Sequence, residues 1–132
     1  MRYLTLAEAL AIAEAVTGTN VETLARSARL DLLDSALHAP QAGFGDEDFY
    51  PDFVDKAAVL VVRIAKNHPL VDGNKRLAWQ SLTMFCALNG YELAATTDDA
   101  VSTVLAIAAG ELDEPAVAQW LIPLLRSEPS DQ

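Results

Sequence analysis

The chain has 132 residues, 52% of them hydrophobic, and carries a formal net charge of −10 with a pI of about 4.4. This length suits one domain, and the longest apolar run, at 57–62, is far shorter than the roughly 20 residues of a membrane span. An acidic chain repels nucleic-acid phosphates. We therefore expect no direct nucleic-acid binding and no membrane insertion, and because no export signal opens the chain, a cytoplasmic location.

The first forty residues contain two helical patterns. Thr5, with a glutamate three residues later, is a capping box that predicts a helix ending near Gly18. A second helix is predicted from Asn20, an N-cap candidate, to Pro40, which closes it. His38 has no chemical partner in its sequence neighbourhood and is interpreted as structural.

Residues 39–50 contain two glycines, a proline and three acidic side chains between two phenylalanines, which predicts a loop or short hairpin. Two interpretations stay open. The segment is either a solvated connection or a flap that covers a site or pairs its edge with an extended peptide.

Two strongly apolar helices flank the middle of the chain. The first is predicted with Pro51 at its first helical position and runs to Asn67, with apolar residues on almost every face. The second begins near Leu77 and ends at a cap formed by Asn89-Gly90. Both are therefore predicted to be buried central helices, and Cys86 in the second is expected to be a buried, inert thiol.

Two further helices, at about 98–110 and 114–126, complete the pattern. The sequence thus predicts an all-α fold in one domain covering 1–126. Residues 127–132 are expected to form a frayed tail, and both tryptophans are interpreted as core or near-core residues.

Polar residues are concentrated in the segment between the central helices, NHPLVDGNKR at 67–76. His68 precedes a proline and should therefore end the first helix. Asp72-Gly73 favours a tight turn, and Asn74 can cap the next helix. The free amides of residues 73–76 would then point away from a positive helix end, which is an arrangement that binds phosphate.

Basic residues cluster around this turn although the chain is acidic. Arg63, Lys66, Lys75 and Arg76 are four of only nine basic residues. The last two lie in the first turn of the second helix, where cations oppose the helix dipole and need another reason to be present. A bound small polyphosphate would supply that reason, whereas a nucleic-acid duplex would require a wider basic surface.

Each group in the turn has a chemical role to match. Histidine is the side-chain type whose ordinary pKa lies near neutrality, so His68 is the candidate general base. Asp72 is the candidate Mg²⁺ ligand, because nucleotide-bound Mg²⁺ takes only one or two protein carboxylates. The candidate phosphate contacts are Gly73, Asn74, Lys75 and Arg76. The alternative is that this segment is only a turn with exposed cations.

The motif from His68 to Arg76 resembles that of the Fic/Doc superfamily, and in particular the HxFxDxNKR pattern of its Doc branch. The sequences LLDSALHAPQA at 32–42 and YPxxxxKAA from Tyr50 extend the resemblance to about residues 30–95. It implies an all-helical Fic fold with ATP and Mg²⁺ at the loop. In the Doc branch the γ-phosphate passes to elongation factor Tu, which stops translation.

Alternatives within this resemblance stay open. Relatives that transfer AMP commonly have glycine at position 75 and a second arginine at 79, where this chain has Lys75 and Trp79, so AMP transfer is the second choice. A weakly active Fic-fold module that binds an antitoxin is the third. The family's inhibitory S/T-x-x-x-E pattern is absent from the sequence, which implies restraint by a separate, Phd-like antitoxin.

Two positions depart from the family pattern. Leu70 replaces the usual phenylalanine, so the loop is expected to be looser. Ala28 and Arg29 replace an arginine-aspartate pair, so the contacts of that pair cannot be assumed here.

Overall fold

A computed structural model describes residues 1–127 of the chain. Within that range it contains seven α-helices, two short 3₁₀ turns and two small antiparallel strand pairs. The helices are α1 (Leu6–Thr17), α2 (Val21–Ser27), α3 (Leu30–His38), α4 (Phe53–Asn67), α5 (Asn74–Leu88), α6 (Thr97–Ala108) and α7 (Glu114–Leu121). The strands are β1 (Gly43–Phe44), β2 (Glu47–Asp48), β3 (Tyr91–Leu93) and β4 (Leu125–Ser127), and the 3₁₀ turns are Ala39–Gln41 and Ile122–Leu124.

The predicted all-α fold is confirmed, with α4 at its centre. This helix packs against α3, α5, α6 and α7. Nine of its residues are buried, namely all those from Lys56 to Ala65 except Arg63. The second central helix, α5, buries one face only, and Met84 on its other face is 42% exposed. Buried residues of α1 to α7 form one hydrophobic cluster around these two helices.

The first helix follows its sequence signals. The Thr5 hydroxyl accepts from the Glu8 amide, and the Glu8 carboxylate accepts from the Thr5 amide, which completes the predicted capping box. The left-handed conformation of Gly18 ends the helix, as expected of glycine at this position.

The prediction of one helix from Asn20 to Pro40 is wrong, because the chain breaks into α2 and α3. Ala28 is extended, with φ −78° and ψ 151°, and Arg29 starts α3 without a side-chain cap. The Arg29 amide instead donates to the Pro69 carbonyl at 2.8 Å, across from the end of α4. A tertiary hydrogen bond has thus replaced one that a continuous helix would have made.

Residues 43–48 form the short hairpin that was one of the predicted options. Gly43 pairs with Asp48 and Phe44 with Glu47, around a turn that contains Gly45 at φ 61°. Lys56 of α4 lies beneath the hairpin and is only 3% exposed. Its ammonium donates to the Pro40 carbonyl at 3.1 Å and lies 3.7 Å from the Asp48 carboxylate.

The end of the chain differs from the prediction of a helix over 114–126. The α-helix ends at Leu121, because Pro123 has no amide hydrogen to continue it, and a 3₁₀ turn follows. β4 then pairs antiparallel with β3, so Ser127 opposes Tyr91 and is not frayed. The rest of the predicted tail, 128–132, lies outside the described residues.

Trp79 and Trp120 are half-buried and form a tilted pair with ring centroids 6.3 Å apart, which confirms their near-core interpretation. Among residues 1–127, no helix has both the length and the apolar character needed to cross a membrane.

Candidate functional site

The loop between α4 and α5 begins with a residue in an unusual conformation. His68 ends α4 at φ 49° and ψ 56°, the left-handed region, and it is the one residue other than glycine with positive φ in the described part of the chain. Pro69 and Leu70 then turn inward and are buried. The helix therefore ends at His68, as predicted, with its side chain exposed.

The N-cap of α5 is Gly73, not Asn74 as predicted. Gly73 has φ 90°, and the first helical hydrogen bond runs from the Leu77 amide to the Gly73 carbonyl at 2.9 Å. The earlier amides of this turn have no acceptor within the helix, since a helix always leaves its first N–H groups free. They form the positive end of a 15-residue helix.

Asn74 is buried at 4% exposure, and its carboxamide is held by the loop. Oδ1 accepts from the Leu70 amide at 2.8 Å, and Nδ2 donates to the Leu70 carbonyl at 2.9 Å. Because the amide can only donate and the carbonyl can only accept, these bonds fix the orientation of the carboxamide. Its side chain thus closes the loop, and one Nδ2 hydrogen remains for a further acceptor.

The same carboxamide sets the tautomer of His68. Nδ2 lies 3.0 Å from Nδ1 of His68 and, in its fixed orientation, donates to it. Nδ1 is therefore an acceptor, and the neutral imidazole carries its proton on Nε2. The ring is held by Asn74 on one side and exposed on the other.

A cleft of about 300 Å³ opens over this loop, and its walls bring the predicted residues together. It is lined by His68, Val71, Asp72, Gly73, Asn74, Lys75 and Arg76. The Asp72 and Lys75 side chains are exposed. A carboxylate, a cation and an imidazole thus border one opening above a helix N-terminus.

Arg76 points from the cleft toward the end of α1. Its guanidinium donates to the Val16 carbonyl at 2.6 Å. At Gly73 a side-chain carbon would lie 2.8 Å from Cγ2 of Thr17, so the loop and the end of α1 are in close contact. Sequence reasoning did not identify α1 as a neighbour of the site.

The two other basic residues of the predicted cluster lie outside the cleft. Arg63 donates to the Glu114 carboxylate at 2.8 Å, and this hydrogen bond raises the pKa of the guanidinium. Lys66 is exposed near the end of α4 and does not line the opening. Of the four basic residues in the predicted cluster, Lys75 and Arg76 are therefore the two that line the cleft.

The residues present fit a metal ion that arrives with a nucleotide. Within residues 1–127 no three His, Cys, Asp or Glu side chains are grouped as a metal site. Asp72 is a single exposed carboxylate at the rim of the cleft, which is the number that nucleotide-bound Mg²⁺ uses when phosphate and water fill its other positions.

An apolar groove of about 400 Å³ continues from the same cations between α5 and α6. Lys75 and Arg76 lie at one end of it. Its walls include Trp79, Val101, Val104 and Leu105. A ligand with an anionic group at the loop would therefore find an apolar surface next to it.

The site thus combines a histidine-containing loop between two helices with free amides and two cations at one helix N-terminus. The Fic/DOC family model matches residues 3–86. The chain therefore belongs to the Fic/Doc family. It is also 51% identical over 67 residues to the Toxin Doc of Mycolicibacterium smegmatis, a match that covers 51% of this chain and 52% of that protein. It thus spans about half the length of the curated relative that it matches.

Proposed function

We propose that this chain is a cytoplasmic toxin of a type II toxin–antitoxin system and acts as a Doc-like protein kinase. It would transfer the γ-phosphate of ATP to a hydroxyl of elongation factor Tu and so halt translation. The observation that carries the proposal is the grouping of His68, Asp72 and Lys75 around one cleft at the N-terminus of α5. The match to a Toxin Doc supports it.

Phosphate binding is the task of the α5 N-terminus. Its free amides and positive dipole end attract an anion, and Lys75 adds an exposed cation at the rim. Arg76 can join them once its bond to the Val16 carbonyl opens. Phosphoryl transfer depends mainly on such positioning and charge neutralisation.

His68 would act as the general base. In the step, the acceptor hydroxyl loses its proton to the imidazole, its oxygen bonds to the γ-phosphorus, and the bond to the bridging oxygen of ADP breaks. The lone pair of the neutral ring is on Nδ1, which Asn74 engages. The Asn74 contact therefore keeps the ring at the cleft before the step, and Nδ1 gives up that contact only as it takes the hydroxyl proton.

Asp72 would hold Mg²⁺, which when bound supplies positive charge to the phosphate oxygens during transfer. The carboxylate is exposed at the rim of the cleft, so it can reach a ligand without movement of the buried loop. The nucleoside of ATP would lie in the apolar groove between α5 and α6.

Transfer of the γ-phosphate is favoured over transfer of AMP by the side chain at position 79. Trp79 is half-buried against Trp120 and offers no positive charge to a second phosphate. AMP transfer and an inactive antitoxin-binding module are the alternatives that the experiment must separate.

Restraint of the toxin would come from a separate Phd-like antitoxin. The groove between α1 and α5 holds about 350 Å³ and has Ile12, Val16 and Met84 on its apolar walls. A partner helix could dock there. It would then lie beside Val16, whose carbonyl holds Arg76.

The test is incubation of the purified protein with Mg²⁺, a bacterial lysate and ATP labelled at either the α or the γ position. We expect γ label on a band of the size of elongation factor Tu. His68→Ala should reduce it by about 10²–10⁴-fold, the usual contribution of a general base. Lys75→Gln should reduce it strongly, whereas Lys66→Gln, outside the cleft, should not.

Other labelling results would support a different function. Transfer of α label alone would establish the AMP-transfer alternative. No transfer of either label by folded, antitoxin-free protein would favour the binding module. Equal loss in Lys75→Gln and Lys66→Gln would show that general charge, and not the cleft, governs the activity.

A further inference from the structure

The backbone at His68 needs external support. The left-handed region is unfavourable for a residue other than glycine, and such a residue persists there only where its surroundings hold it. His68 has this conformation, and the ring position that follows from it determines where a proton can be taken up. Neighbouring groups must therefore hold the end of α4 at His68 in place.

Asn74 holds the ring from the α5 side, and Arg29 holds the backbone from the α3 side. The Arg29 guanidinium donates to the His68 carbonyl and lies 3.4 Å from the Asn67 carbonyl, while its amide donates to Pro69. These carbonyls belong to the C-terminus of α4, where a helix leaves its last oxygens without partners and where a positive charge is favourable.

A second hydrogen bond joins the same two helix ends. Nδ2 of the Asn67 side chain donates to the Leu32 carbonyl of α3 at 3.0 Å. The start of α3 and the end of α4 are therefore joined by the side chains of both. The break between α2 and α3, which the sequence did not predict, is what brings Arg29 to this position.

We infer that Arg29 is a positioning residue for His68, which acts by holding the end of α4 so that the imidazole stays against Asn74 at the cleft. The inference rests on the proposed function only for its kinetic consequence. Arg29 is exposed, and its amide bond to Pro69 does not need its side chain, so replacement leaves the fold and that bond in place.

The structural test is ¹⁵N NMR of the His68 ring in the full chain at a pH above neutrality, where the neutral tautomer is observed. Only two histidines are present, so a His38→Gln spectrum assigns the signals. We expect wild type to show mainly the Nε2–H tautomer and Arg29→Gln to show a mixture of tautomers. Arg29→Lys, which keeps the charge, should be intermediate. Arg26→Gln is the matched control, since the Arg26 side chain is exposed on α2 and takes part in none of the hydrogen bonds that hold the end of α4.

The kinetic test is ATP turnover. Arg29→Gln should lower kcat by about 10- to 100-fold, as a displaced catalytic group does, with little change in the KM for ATP. Unaltered His68 signals in Arg29→Gln would overturn the inference, as would a fall in thermal stability without change at His68. If Arg29→Gln alters the His68 signals but the wild-type protein transfers no label, the positioning role of Arg29 stands and the proposed kinase activity is wrong. Failure of the inference and failure of the proposed function therefore give different results.

Discussion

Asn74→Ala should destabilise the protein more than other polar substitutions on α5, because three hydrogen bonds depend on this side chain. Two of them satisfy the amide and the carbonyl of Leu70, which is buried at 5% exposure. A buried polar group without a partner costs about 1–3 kcal/mol. Loss of the contact to the exposed His68 adds about 0.5–1 kcal/mol.

With both Leu70 groups counted, the total is about 2.5–7 kcal/mol, a large part of the 5–15 kcal/mol by which domains are usually stable. For a chain of this size this loss corresponds to a fall in Tm of roughly 10–25 °C. Urea unfolding at neutral pH followed by circular dichroism would measure the free energy of unfolding. Gln80→Ala, an exposed substitution on the same helix, is the control and should change it by less than about 0.5 kcal/mol. If Asn74→Ala matched this control, the carboxamide would not hold the loop as described.

Three further predictions concern single side chains. Gly73→Ala should lower the free energy of unfolding by about 1–3 kcal/mol, because alanine is strained at φ 90° and its Cβ would meet Cγ2 of Thr17. Adding Thr17→Ser, which removes that carbon, should restore part of the loss, as measured by urea unfolding. The hydrogen bond from Arg2 lowers the pKa of Glu8 from 4.5 to about 2. The ionised Glu8 carboxylate therefore stabilises the fold fully above pH 4.5, and this stabilisation is lost as the pH falls toward 2. The difference in unfolding free energy between wild type and Glu8→Gln should shrink over that range, and a constant difference would refute this assignment. Burial raises the pKa of the Cys86 thiol to about 12, so a thiol reagent at mildly alkaline pH should modify it only after unfolding, and rapid modification of the native protein would contradict its burial.

Features fixed by neighbouring residues could be predicted from the sequence. The capping box at Thr5, the end of α1 at Gly18 and the end of α4 before Pro69 depend on side chains within a few positions of each other. The all-α fold followed from apolar periodicity, which marked α4 as buried on nearly every face. Local signals were reliable where no distant group competed with them.

Features decided by distant partners could not be predicted. The break before α3 exists because Arg29 bonds to carbonyls about forty positions later. Asn74 lies where an N-cap was predicted, yet its carboxamide turns back to Leu70 and His68, because the inward turn of the loop presents unpaired backbone groups there. β4 forms because β3 offers a free edge after α5.

The expectation of a looser loop at Leu70 stays a prediction. Leu70 is buried in the main hydrophobic cluster, and both of its backbone polar groups are bonded to Asn74. Replacement by phenylalanine would add volume to a packed site, which typically costs about 1–3 kcal/mol.

The proposed reaction is the transfer of a phosphoryl group from ATP at this cleft to a protein hydroxyl. The most direct measurement is intact-mass spectrometry of purified elongation factor Tu after incubation with this protein, Mg²⁺ and ATP, with His68→Ala in parallel. We expect wild type to add a single phosphate to the factor and the variant to add none. Addition of AMP, or an unmodified factor despite binding of ATP by the folded protein, would contradict it.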